Sequence, residues 1–196
     1  LYVAVRGGAT TPAAVAVVDT TTDSVLATAA PPTGVLPLGF AFRPDGQSGF
    51  LQTAVGTYLL STANPASPVV GPTPIVNARG GNGVIELAPW GGRLLAHVPV
   101  SGGRLWIIDV TTDTPAVLAT LTLGLNPNRV KPSSDGSTSF VLHGTSQDLY
   151  AVDVAQLMAN PASVPATRVA GVVVPTALAV TPIPAAPPAG RPVVTG

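Results

Sequence analysis

Cysteine is absent from this chain of 196 residues. That excludes thiol nucleophiles, thiolate metal sites and disulfide staples, and it leaves the redox compartment unread. Charge is almost as scarce, because 9% of residues are charged where about 25% is usual. Lys131 is the only lysine and Glu86 the only glutamate, and nine basic residues balance nine acidic ones. A nucleic-acid binder needs a basic face, and this balance does not supply one. Thr, Ser, Asn, Gln and backbone must keep such a surface wet, so it repels neighbours weakly. It suits a protein packed against others, although a GC-rich genome would give a similar composition. No apolar run approaches the roughly 18 residues of a membrane span. The opening LYVAVRGG has no initiator Met, basic start or signal core, and reads as a mature product or a fragment.

What the chain does have is a repeat. Val15 to Gly46 returns as Leu105 to Gly136, so that Asp19 answers to Asp109, Asp23 to Asp113 and Asp45 to Asp135. A fainter copy lies midway, giving a period of about 45 residues, that of four-stranded propeller blades. The 22 prolines and 21 glycines fall between short apolar runs, which is the punctuation of many short strands.

Strands are expected at Leu1 to Val5, Ala13 to Asp19, Val25 to Ala29, Leu38 to Phe42 and Ser48 to Thr53. Asp-Thr turns and Pro-Asp-Gly turns separate them. Tyr58 to Thr62, Val69 to Val76 and Val84 to Leu87 continue the pattern, with Ala88-Pro89-Trp90-Gly91-Gly92 standing where the Pro-Asp-Gly turn stood. Leu94 to Val98 leads into the clean third copy. The fourth copy holds strands at Phe140 to His143, Leu149 to Val154 and Val169 to Val174, a helical turn at Gln156 to Asn160, and a fifth inner strand from Ala177 to Val180. Residues 1–183 therefore form one set of blades, and residues 184–196 a Pro-rich extension. The expected fold is all-β, a β-propeller of four-stranded antiparallel blades with about four blades in this chain. The last inner strand could join the first three strands and close a four-bladed ring, or the chain could be a window of a larger ring. Four blades are the small extreme, which favours the window.

The repeat resembles the YVTN-type β-propeller repeat of bacterial and archaeal surface proteins. Leu1-Tyr2-Val3, Val18-Asp19-Thr20-Thr21-Thr22, Gly34 to Pro37 and Arg43-Pro44-Asp45-Gly46 carry the likeness, as do Ile108-Asp109-Val110-Thr111-Thr112, Gly124 to Pro127 and Ser134-Asp135-Gly136. The second copy of the repeat, Tyr58 to Gly92, lacks both aspartates. The resemblance implies a surface, adhesion or scaffold module, while related rings include lactonases and redox enzymes.

Candidate chemistry is sparse. Repeated aspartates could bind calcium, but a carboxylate that caps the turn of every blade accounts for them better. His97 and His143 are the only imidazoles and lie one repeat apart, which makes them weak metal candidates without a third ligand nearby in sequence. Arg79 and Asn82 sit in the loop Ala78 to Gly83, which lacks the Lys and Ser/Thr of a phosphate loop. Trp90, in a Pro-Trp-Gly-Gly stretch, is a candidate contact for a partner or a sugar. Of the inner-strand residues Phe40, Phe42, Ile85, Glu86, Val130, Lys131 and Leu178, only Glu86 and Lys131 could act in a central channel.

The reading is a non-enzymatic scaffold, adhesion or assembly subunit, extracellular, at the cell surface or periplasmic. It needs no cofactor, and its partners are other protein subunits or surface components, met at Trp90, Arg79 and Asn82. A lactonase or oxidoreductase propeller, or a sugar-binding module, is the alternative.

Overall fold

The computed structural model describes residues 1–77, 84–100, 102–123, 127–143, 148–160 and 166–169. They form one three-stranded and three four-stranded antiparallel sheets. Blade one is β1 (Tyr2–Val5), β2 (Ala14–Asp19) and β3 (Ser24–Ala29). Blade two is β4 (Pro37–Phe42), β5 (Ser48–Thr53), β6 (Thr57–Ser61) and β7 (Val69–Val76). Blade three is β8 (Glu86–Trp90), β9 (Arg93–Val100), β10 (Arg104–Asp109) and β11 (Ala116–Thr122). Blade four is β12 (Pro127–Pro132), β13 (Thr138–His143), β14 (Leu149–Asp153) and β15 (Ala166–Arg168), with helix α1 (Val154–Ala159) inserted before β15.

Each blade is a meander, with consecutive strands paired in order, and short turns make most of the connections. Asp and Asn set those turns. The Thr21 amide donates to Asp19 Oδ1 at 2.8 Å, the Thr111 amide to Asp109 Oδ1 at 3.0 Å, and the Ala66 amide to Asn64 Oδ1 at 3.0 Å. Blade two thus keeps the capping interaction without the aspartate. In blade four Asp153 caps α1 instead, accepting from the Gln156 amide at 2.9 Å.

The middle strands of blades two and three are buried on both faces, since those two sheets are packed between neighbours. Gly49 to Thr53 and Leu95 to Val100 are buried without a break. Three apolar clusters fill the seams. Val15, Leu51 and Leu60 lie between blades one and two, Phe50, Val98 and Ile108 between blades two and three, and Leu95, Leu105, Val141 and Leu157 between blades three and four. Fully burying one such side chain stabilises by about 2 kcal/mol. Pro72 and Pro74 fall in β7, at the sheet edge, where a missing amide costs no ladder bond.

Several boundaries differ from the sequence reading. β8 begins at Glu86 and runs through Pro89 to Trp90, so the turn that follows is Gly91-Gly92 alone, both at positive φ. The helical turn begins at Val154, because the Asp153 cap starts it there. The outer strand of blade four already pairs at Ala166–Arg168, from Val152↔Ala166 to Tyr150↔Arg168, ahead of the expected 169–174, of which 170–174 lie outside the described residues. The fifth inner strand and the Pro-rich extension lie outside the described residues.

Candidate functional site

Inner strands β4, β8 and β12 stand side by side around a channel. On β8 and β12, Glu86 Oε2 and Lys131 Nζ meet at 3.0 Å, with both side chains about one-third exposed. The two inner-strand groups that sequence picked out as able to act are therefore brought together, across a blade seam. Each neutralises the other. Beside them a cavity of about 480 Å³ is lined by Ala4, Arg6, Pro37, Leu38, Val84 and Arg129, residues drawn from or bordering all four blades. Arg129 lies two positions before Lys131 on β12 and so shares its face. A larger, more open cavity of about 870 Å³ lies between the β1–β2 and β3–β4 loops, with Arg6 its only charged lining residue.

The histidines are buried rather than displayed. His97 lies within β9, paired with Glu86 on one side and Ile107 on the other, and is fully buried. Its Nδ1 is 2.5 Å from Ser139 Oγ on β13, which pins blade three to blade four. Nε2 has no partner among the described residues. Burial lowers the His97 pKa to about 4, so the ring is neutral near pH 7. His143 ends β13, buried against the Tyr150 ring at 5.0 Å between centroids. Among the described residues no three His, Asp or Glu side chains form a metal-binding cluster.

Trp90 ends the inner strand of blade three and packs, partly buried, against the cluster between blades three and four. Its backbone also abuts the next turn, because a Cβ added at Gly136 would lie 2.2 Å from the Pro89 carbonyl oxygen and 3.1 Å from Trp90 Cβ. Arg79 and Asn82 lie outside the described residues.

Sequence reasoning missed Arg43. Its side chain is 10% exposed and reaches from the β4–β5 turn to the β10–β11 turn of blade three. Nε donates to the Val110 carbonyl at 3.1 Å, Nη2 to the Thr112 carbonyl at 2.6 Å, and Nη1 to Asp113 at 2.5 Å and to Ser48 Oγ at 2.9 Å. Its guanidinium carbon lies 5.3 Å from the Phe50 ring centroid. Asp113 is exposed and also closes this clasp. The available signal was a lone arginine opening the turn Arg43-Pro44-Asp45-Gly46, where Ser133 opens its counterpart Ser133-Ser134-Asp135-Gly136.

Strand direction sorts the charges into two rims. Turns that follow the inner and third strands share one rim, and every aspartate except Asp148 lies there. Arg43 and Arg93 sit on that rim, each paired with an aspartate. Arg6, Arg104, Arg129 and Arg168 lie at the other, with Arg168 bound to Asp148 at 2.5 Å. On the acidic rim, the Ser133 hydroxyl first, then the Ser137 amide and hydroxyl, hold Asp135 down to about 2. Asp109 is lowered chiefly by the Thr111 hydroxyl and amide, with a smaller contribution from Arg93.

Blades of antiparallel strands arranged side by side about a shared channel define a β-propeller fold. The comparisons agree. The chain is similar to hydrazine synthase of Kuenenia stuttgartiensis, at a TM-score of 0.60 and 21% identity over 73% of this chain and 40% of that one. It is also similar to a functionally unknown protein of Desulfotomaculum acetoxidans, at a TM-score of 0.65 and 16% identity over 81% of this chain and 50% of that one. A candidate 6-phosphogluconolactonase of Bacteroides fragilis matches at a TM-score of 0.55 and 18% identity, over 76% and 41%. At these identities the likeness concerns the fold, and the chain spans about half the length of the structures it matches. No family model and no curated protein matches the sequence.

Proposed function

We propose that this propeller is a non-enzymatic scaffold within a larger protein assembly, at the cell surface or in the periplasm. One observation carries the reading. The face of blade one turned away from blade two is apolar and open, with Leu1 68%, Val3 37% and Val25 63% exposed. Register places them together, since Val18 pairs with Val25, Val3 with Ala16, and Leu1 bonds Val18. The counterparts of Leu1 and Val3 in blade three, Ala96 and Val98, are buried in the seam with blade two, and an exposed apolar patch of this kind marks a protein contact. Low overall charge favours the same association, and Trp90, Arg79 and Asn82 belong to the proposed contact set.

Size-exclusion chromatography with light scattering on native material tests this. A stable companion or a mass above the monomer is expected, lost when Val3→Asp and Val25→Asp are combined. A clean monomer without a companion overturns the proposal. Hydrolase or redox chemistry is the second reading, favoured by the Glu86–Lys131 pair in the channel. It requires an activity that Glu86→Gln with Lys131→Met removes.

A further inference from the structure

The channel mouth differs in charge from everything around it. Arg6 at the end of β1 and Arg129 near the start of β12 line one cavity of about 480 Å³, and neither has a carboxylate partner among the described residues. The nearest channel carboxylate, Glu86, is taken by Lys131. Asp148, the one aspartate on this rim, is held by Arg168. Every other acidic side chain is at the opposite rim. Two guanidinium groups therefore face one cavity with nothing to neutralise them.

We infer that the channel mouth binds a small dianion, a phosphate monoester or a dicarboxylate, gripped between Arg6 of blade one and Arg129 of blade four. Guanidinium is planar and offers a fork of N–H donors that matches two oxygens of a phosphate or carboxylate, so two forks lining one cavity suit a ligand with two anionic ends or several oxygens. Pro37, Leu38 and Val84 give part of the cavity an apolar wall, beside which two like charges focus a positive potential. Its volume falls in the range of small-ligand sites. Arg6 also borders the larger neighbouring cavity, so a ligand with an uncharged body can extend there from its anionic head. The site does not depend on the scaffold reading.

Calorimetric titration of the whole chain at low salt, once with inorganic phosphate and once with malonate, tests it. Binding with a Kd of about 1 mM or tighter is expected, weakening as salt is added. Arg6→Gln or Arg129→Gln should each raise Kd about tenfold, by removing one charge-assisted fork. Glu86→Gln should tighten binding several-fold, by removing the channel's negative charge. Arg104→Gln, on the same rim but outside the cavity, should change nothing. All four positions retain solvent exposure, and circular dichroism confirms each fold. Phosphate alone binding assigns a phosphate monoester, malonate alone a dicarboxylate, and both a general dianion site. No binding of either anion, or an equal loss in Arg104→Gln, overturns the inference. Neither result bears on the assembly mass, which tests the scaffold separately.

Discussion

The seam between blades two and three and the seam between blades three and four are closed by the same turn of the repeat with opposite chemistry. In the first, Arg43 crosses to blade three and donates to two backbone carbonyls and Asp113. In the second, Trp90 packs onto an apolar cluster that includes Leu157 of α1, and the buried His97–Ser139 contact lies deeper in the seam. The repeat thus specifies where neighbouring blades touch. It does not specify with what.

Breaking the apolar seam should cost most. Leu95→Ala empties a fully buried position there, and a loss of about 2–5 kcal/mol is expected in urea unfolding. The turns offer a matched pair. Gly136 (φ +70°) has the Pro89 carbonyl in the way of any Cβ, whereas Gly46 (φ +67°) has open space. Gly136→Ala should cost about 3 kcal/mol and Gly46→Ala about 1, the latter being the left-handed backbone penalty alone. Equal costs would show that the two turns are not packed differently.

The His97 seam should also be the acid-labile one. Its folded pKa of about 4 lies below the ordinary 6.5, so the unfolded chain binds the proton more readily. Stability contributed by the neutral ring is complete above pH 6.5 and declines as pH falls towards 4, by up to about 3 kcal/mol. Replacing His97 with Gln should flatten the midpoint of urea unfolding across that window. An unchanged slope would remove His97 as the cause.

Arg43→Ala should cost about 1–3 kcal/mol, because it strips charge-assisted bonds from carbonyls across the seam. Asp113→Asn should cost under about 1 kcal/mol, since the Asp113 side chain is 79% exposed and water screens its share. Should Asp113→Asn match Arg43→Ala, the clasp would be an ion pair rather than a backbone tie.

Blades were legible because turn chemistry is local: a capping carboxylate and a Pro-Asp-Gly corner act within a few residues of themselves. Glu86 and Lys131 were legible as channel residues because they fall on inner strands, though their pairing was not. Arg43 was hidden, since its partners across the seam are 67 to 70 residues away, a separation that the repeat does not predict. Trp90 looked like a free turn residue because its Pro-Trp-Gly-Gly setting occupies the turn's place in the repeat. The hairpin is tighter than that, and it draws the ring into β8 and against the seam. The outer-strand pairing at Ala166–Arg168 in blade four was missed because Asp153 serves as a helix cap there, where its counterparts cap turns.

A chain with zero formal charge would ordinarily be treated as electrically featureless. With its aspartates gathered on one rim and its unpaired arginines on the other, the propeller instead carries a dipole along the channel axis. Molecules can then attract one another end to end without any net monopole, an effect reaching only about 10 Å at 0.1 M salt. The osmotic second virial coefficient should therefore turn more negative on dilution of salt, the reverse of what a uniformly charged protein shows.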